Sequence, residues 1–261
     1  MTQATRPRVV GAVQARLGST RLPRKSLADI GGRPMAIRVA DRLAQSGRVD
    51  AIAIATTSDP SDDALVQAAA AAGLHASRGP VDDLVRRLYL VAEVLDADYL
   101  VRAWGDCPLL ASDAVASAVD LCVGEGLAYV SNCVFGSRTY PPGVDLEVYS
   151  RDALRHLEQT ATDPRVREFP AEFVLANVQR LPMKALQMTP DLSQLHLTVD
   201  YEQDLEAVRA IYRELEARSA SSTMADLIRL FADRPELAEG FAHAPRNVEY
   251  RQFVEAVRRP Q

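Results

Sequence analysis

The chain has 261 residues, 48% hydrophobic and 25% charged, with a formal net charge of −5; it can bury one sizeable core, and its acidic balance argues against a nucleic-acid-binding protein, which is more often basic. Cys107, Cys122 and Cys133 show no C-x-x-C spacing, so neither a disulfide framework nor a zinc site is expected. No apolar run nears the ~18 residues of a membrane span, and the start Met1-Thr-Gln-Ala-Thr-Arg-Pro lacks the apolar stretch of a signal peptide, so no membrane association and a cytoplasmic location are the expectation.

In chain order, Arg8 to Val13 reads as a short buried strand, and Met35 to Leu43 carries apolar residues at helical spacing, predicting a helix over Met35–Ala44. Between them lies a connection rich in cations, Val13-Gln-Ala-Arg-Leu-Gly-Ser-Thr-Arg-Leu-Pro-Arg-Lys25. At the carboxyl end of a first strand, such a loop sits where ligands bind in open α/β sheets. Backbone amides with Arg16, Arg21 and Lys25 suit a triphosphate and the pyrophosphate that leaves it. Gly18 lets the backbone approach phosphates closely, and Ser19 and Thr20 add hydroxyl donors. The loop has neither G-x-x-x-x-G-K-[ST] nor G-x-G-x-x-G, so the P-loop and dinucleotide signatures are both missing. A solvated basic surface loop is the bland alternative.

Further strands are predicted at Asp50–Ala55, Tyr99–Ala103 and Ala128–Ser131, and helices at Asp62–Ala72, Asp82–Leu95 and Ser112–Glu125. Their alternation predicts a mostly parallel sheet with right-handed crossovers, an α/β sandwich. The stretch 134–188 breaks the rhythm: Pro141-Pro142-Gly143, an alternating run Val144–Tyr149, a helix near Asp152–Gln159 and a second alternating run around Met183–Met188. It reads as an insertion carrying antiparallel strands within a single domain over 1–261. Two more helices, Tyr201–Arg218 and Met224–Phe231, come near the end.

Three further groups invite chemistry. Asp106, beside Gly105 and just past a predicted strand, presents a carboxylate at the sheet's carboxyl edge, where Mg²⁺ takes oxygen ligands. Asp200, after Leu195-His-Leu-Thr-Val, stands in the same relation to a strand, although Glu202-Gln203 make it equally a helix N-cap. Thr57 at the end of the second strand and Arg78 before a helix both lie on the predicted binding edge, where Arg78 and nearby backbone groups suit the acceptor groups of a cytosine. Asp82 and Asp83 fit a helix N-cap and first turn. His75, His156, His196 and His243 have no metal-ligand spacing.

The run Gln14-Ala-Arg-Leu-Gly-Ser-Thr-Arg-Leu-Pro-x-Lys25, followed by Leu27-x-Asp29-Ile30-Gly31-Gly32-x-Pro34-Met35, resembles the cytidylyltransferases of the spore-coat polysaccharide biosynthesis type. Those are relatives of the enzymes that make CMP-3-deoxy-manno-octulosonate and CMP-sialic acid. Arg78-Gly79 with Asp82-Asp83, Arg102-x-x-Gly105-Asp106-Cys107-Pro108-Leu109, Ser131-Asn132, Tyr140-Pro-x-Gly143-x-Asp145-x-Glu147 and Leu197-Thr-Val-Asp200 follow in order, so the likeness spans residues 9 to about 212. It implies a Rossmann-like three-layer sandwich of the nucleotide-diphospho-sugar transferase type. Gln14, Ala15, Arg16, Gly18, Ser19, Arg21, Lys25, Thr57, Arg78 and Asp106 would bind CTP, with Arg16, Lys25 and Asp106 catalytic. Asp106 and Asp200 would hold Mg²⁺, and 134–188 would form a homodimer contact. The acceptor, a sugar acid or another small acidic compound, would meet Trp104, Arg138, Tyr140, Asp145 and Glu147; Arg138 suits a carboxylate. No histidine or glutamate base is expected in the transfer.

This chain departs from those relatives at three places. Arg24 stands where they usually have glycine, Trp104 replaces a small hydroxyl residue, and Arg167-Glu168-Phe169-Pro170 replaces a stretch that usually carries histidine. Two rival functions are a nucleotide-sugar-dependent glycosyltransferase, whose usual D-x-D is missing at Gly105-Asp106-Cys107, and an inactive nucleotide-binding regulator, which would not need Lys25 and both carboxylates.

Overall fold

The computed structural model describes residues 6–133, 138–177, 180–219 and 221–241. Strand β1 (Val9–Gln14) alternates between two buried faces: Val9 and Val13 join one core, Val10 and Ala12 the other. A period-2 strand buried on both sides is the mark of a sheet covered by helices on both faces.

Parallel neighbours flank β1: β4 (Ala51–Thr57), with β5 (His75–Gly79) beyond it, and β6 (Tyr99–Trp104) on the other side. Beyond β6 come β7 (Tyr129–Ser131), β8 (Leu146–Ser150) and β9 (Met183–Ala185), giving the order β5-β4-β1-β6-β8-β7-β9. Only β8 runs against the others; it pairs antiparallel with both β6 and β7. A small hairpin, β2 (Asp29–Ile30) and β3 (Arg33–Pro34), lies outside this sheet.

Helices α1 (Met35–Gln45), α2 (Asp63–Ala71) and α4 (Ser112–Gly124) cover one face together with α8 (Glu202–Ala217), α9 (Met224–Asp233) and the short α10 (Pro235–Glu239). On the opposite face, α3 (Leu84–Val94) and α5 (Arg151–Thr160) pack through Leu84, Leu88, Val91, Leu154 and Leu157. Two short helices, α6 (Pro164–Glu168) and α7 (Ala171–Ala176), follow α5. Asp83 caps α3, its carboxylate accepting from the Arg86 amide at 2.8 Å, as one of the two expected aspartates should.

Two expectations need correction. Of the two alternating runs in 134–188 expected as antiparallel strands, the first is one, β8, an interior strand of the main sheet, but the second forms β9, which runs parallel to β7 at the sheet's edge. Leu195–Val199 is not a strand. It is extended chain held by backbone bonds, Leu197 to Pro142 (2.7 Å) and Val199 to Asp106 (3.0 Å). Part of the expected insertion, 134–137, lies outside the described residues, as does His243.

Candidate active site

The loop after β1 is shaped by what it must not block. Gly18 faces open space, with no atom within 4 Å of where a Cβ would stand. Across the loop, a Cβ on Gly105 would fall 2.8 Å from the Ala15 Cβ and 2.9 Å from the Gln14 carbonyl. Only glycine permits that approach, and the Gly105 amide donates to Gln14 at 2.8 Å. The loop and the end of β6 are thereby joined at the sheet's carboxyl edge.

Arg24 has φ 59°, in the left-handed region, at the start of the 3-10 turn Lys25–Leu27. Glycine adopts that conformation without steric cost, so an arginine holds it here under strain. Lys25 Nζ donates to Asp106 Oδ2 (2.7 Å), to the Val199 carbonyl (2.8 Å) and to Asp200 Oδ1 (3.1 Å). Burial works to lower the Lys25 pKa, but the two carboxylates outweigh it and leave it above the ordinary lysine value. Asp200 also accepts from Arg21 at 2.7 Å, and although burial pushes its pKa up, Lys25 and Arg21 hold it below the usual aspartate value.

Asp200 is not the N-cap of α8: Tyr201 is, and Asp204 in the first turn reaches back, its carboxylate accepting from the amides of Asp200 (2.8 Å) and Tyr201 (2.9 Å). The Asp200 side chain turns toward the loop cations Arg21 and Lys25. Gly143, at φ 102°, packs so tightly on Leu197 and Thr198 that a side chain would overlap their backbone. This contact fixes the segment leading to Asp200 beside Asp145.

Two cavities meet here. The first, of about 310 Å³, is lined by Gln14, Ala15, Arg16, Gly18, Ser19, Thr20, Arg21 and Lys25 together with Trp104, Asp106 and Phe169. The second, of about 230 Å³, shares Gln14, Arg21, Trp104, Asp106 and Phe169 and adds Arg102, Arg138, Asp145, Glu147, Glu168 and Asp200 among others. The loop residues predicted to bind nucleotide thus come together around one space.

Other predicted residues are placed differently. Thr57 is buried and donates to Asp62 at 2.5 Å, and Arg78 is held by the Thr57 and Asp59 carbonyls (both 2.8 Å) and by Asp63 (2.6 Å). Neither lines either of these cavities; Arg78 braces the turn after β4. Tyr140 is buried in the apolar core rather than facing the acceptor space. Glu147 lines the second cavity, but its carboxylate is taken by Arg102 (2.7 Å), Tyr129 (2.8 Å) and Tyr149 (2.9 Å). Arg102, held also by Gln14 at 3.0 Å, lies under the Trp104 ring at 4.1 Å from its centroid. The network fixes the indole as a wall between the cavities. Arg138 does reach the second cavity, paired with Asp145 at 2.8 Å.

Sequence reasoning gave no site role to three residues that the structure places here. Asp62, predicted only as a helix start, receives the Leu17 amide (2.8 Å), the Thr56 hydroxyl (3.0 Å) and the Thr57 amide and hydroxyl, tying the loop to β4. Its signal was an acid at the start of a helix, shortly after a strand end rich in hydroxyls, Thr56-Thr57-Ser58. Glu168 also lines the second cavity, and Phe169 reaches both.

The family model described as cytidylyltransferase matches residues 10–222, a span that includes the loop, Asp106 and Asp200. The chain belongs to the cytidylyltransferase family. Spore coat polysaccharide biosynthesis protein SpsF of Bacillus subtilis is 26% identical over 234 residues, covering 87% of this chain and 95% of that protein. A 3-deoxy-manno-octulosonate cytidylyltransferase of Leptothrix cholodnii is 38% identical over 133 residues, 49% of this chain and 45% of that one. The solved structure of a cytidylyltransferase from Leptospira borgpetersenii superposes with a TM-score of 0.82 at 27% identity, covering 92% of this chain and all of the other. This cytidylyltransferase is accordingly a nucleotidyl-transferring enzyme with the α/β sandwich expected of it. Among its described residues no helix is long and apolar enough to cross a membrane.

Proposed function

We propose that this cytidylyltransferase places the CTP triphosphate in the first cavity and a small acidic acceptor, such as a sugar acid, in the second, and joins CMP to an acceptor hydroxyl with release of pyrophosphate. The observation that carries the reading is the meeting of Lys25 with both Asp106 and Asp200, carboxylates from two distant segments. Loop amides, Arg16 and Lys25 stabilise charge on the α-phosphate and on the departing pyrophosphate. The Trp104 wall and the Arg102–Glu147 network orient the acceptor against it. Arg138 offers its guanidinium to an acceptor carboxylate, which would take the place of Asp145. The turn after β4, braced by Arg78, is the edge that reads the base.

The donor set fits Mg²⁺. Two aspartate oxygens converge on one cation, Asp106 keeps a second oxygen whose one described contact is the Cys107 thiol at 3.7 Å, and among the described residues no larger cluster of ligating side chains exists. Mg²⁺ is commonly held by one or two carboxylates plus substrate phosphates. Bound by Asp106 and Asp200, it would polarise the phosphate and favour ionisation of an oxygen nucleophile.

A pyrophosphate-release screen of CTP, UTP, ATP and GTP against 3-deoxy-manno-octulosonate, sialic acid, sugar phosphates and phosphonates tests this reading. Release confined to CTP, with an acidic acceptor, and abolished by EDTA is the expected result. Equal use of all four nucleotides, or full activity in EDTA, overturns it.

A further inference from the structure

We infer that Glu168 is a catalytic residue of the transfer, taking the proton of the attacking hydroxyl, an inference that rests on the placement of CTP and acceptor proposed above. In this step a bond forms between the acceptor oxygen and the α-phosphorus while the bond from that phosphorus to the bridging oxygen breaks. Pyrophosphate leaves with the electron pair, the hydroxyl proton passes to the Glu168 carboxylate, and it is lost to solvent when the product departs.

Three observations support the assignment. First, Glu168 lines the second cavity while its Oε1 lies 3.9 Å from the Arg16 guanidinium, which lines the first. The carboxylate therefore stands where the two cavities adjoin, the position an attacking oxygen must pass. Second, Oε2 is buried and has no hydrogen-bond partner among the described residues, and the Arg16 contact to Oε1 is too long to be a hydrogen bond. A carboxylate serving as a strut would be paired, as Glu147 is in the same cavity. Third, the segment bearing it is held firmly: Arg167 donates to Asp83 (2.7 Å), to Glu158 Oε2 (2.6 Å) and to the carbonyls of Glu158 and Ala161. Positioned bases need such support.

The surrounding charges suit a group that accepts a proton and then loses it. Burial raises the Glu168 pKa above the ordinary glutamate value, and Asp82 before α3 adds to this; Arg16 of the loop, Arg87 of α3 and Arg102 of β6 pull it back. Arg87, fully buried, has no hydrogen-bond partner on any guanidinium nitrogen among the described residues, so its charge remains available to the carboxylate nearby.

The test uses Glu168→Ala and Glu168→Gln in the full chain, with CTP, Mg²⁺ and the acceptor found in the screen, pyrophosphate release as the rate and calorimetry for CTP affinity. Both variants should bind CTP within about threefold of wild type and release pyrophosphate ~100-fold more slowly. Added formate should restore part of the rate in Glu168→Ala, where it can occupy the space, and none in Glu168→Gln. Rates near wild type, loss of CTP binding together with rate, or a slow Glu168→Ala that formate does not rescue would each overturn the assignment. Failure of the wild-type chain to bind CTP would instead overturn the nucleotide placement itself.

Discussion

Asp62 and Leu17 are 45 residues apart in sequence, yet the Asp62 carboxylate accepts from the Leu17 amide at 2.8 Å. The same carboxylate takes both threonine hydroxyls at the end of β4, so the loop after β1 is anchored to the neighbouring strand by one buried acid. Asp62→Ala would strand the Leu17 amide and two hydroxyls without partners, costing about 3 kcal/mol of stability. Because the loop would lose its anchor, KM for CTP should rise severalfold, and chemical denaturation with steady-state kinetics reads both. A variant with wild-type stability and KM would show that the anchor is dispensable.

The sandwich was legible because its strands and helices obey simple periods. Met35–Gln45 and Ser112–Gly124 start within a residue of their predicted positions, since their apolar residues recur at helical spacing. Strand β5 escaped because His75-Ala-Ser-Arg-Gly79 is polar and lies at the sheet's edge, where no alternation is imposed. The interior place of β8 is set by pairings across the chain, which a local pattern does not encode. At the site, the basic loop, Asp106 and Asp200 stood out by residue type. Asp62 and Asp204 did not, because each acts through a contact made in three dimensions, and Glu168 did not, because the chain's folding alone brings it to the second cavity.

Arg24 holds a left-handed backbone that costs a non-glycine residue roughly 1–2 kcal/mol. Arg24→Gly should relieve most of it, so the melting temperature should hold or rise by a few degrees, with kcat for pyrophosphate release retained. A large loss of activity would give the Arg24 side chain a role in phosphate binding.

Asp145 has a pKa raised by burial, which Arg138 only partly offsets. A carboxyl whose folded pKa lies above its unfolded value, ~3.9 for aspartate, contributes stability below that value and loses it as pH rises through the folded pKa. The stability of Asp145→Asn relative to wild type should therefore improve as pH rises from about 3 toward 7. A difference in melting temperature that stays flat, or moves the other way, would mean that the Arg138 pair outweighs burial.

Strand β9 leaves one backbone edge of the sheet unpaired within the described chain, and it belongs to the segment proposed as a dimer contact. Light scattering at micromolar concentration should give about twice the 28.5 kDa chain mass. A single species at the chain mass would remove the homodimer from the proposal.

The account centres on Lys25, the cation on which Asp106 and Asp200 converge. Pyrophosphate gains charge as it leaves, so a lysine placed there strengthens its interaction along the reaction path and acts on kcat more than on binding. Steady-state kinetics of Lys25→Ala with CTP, Mg²⁺ and the acceptor found in the screen test this most directly. The predicted result is a fall in kcat equivalent to roughly 2–4 kcal/mol with a much smaller change in KM for CTP. A raised KM with kcat untouched would contradict the account and leave Lys25 as a binding clamp alone.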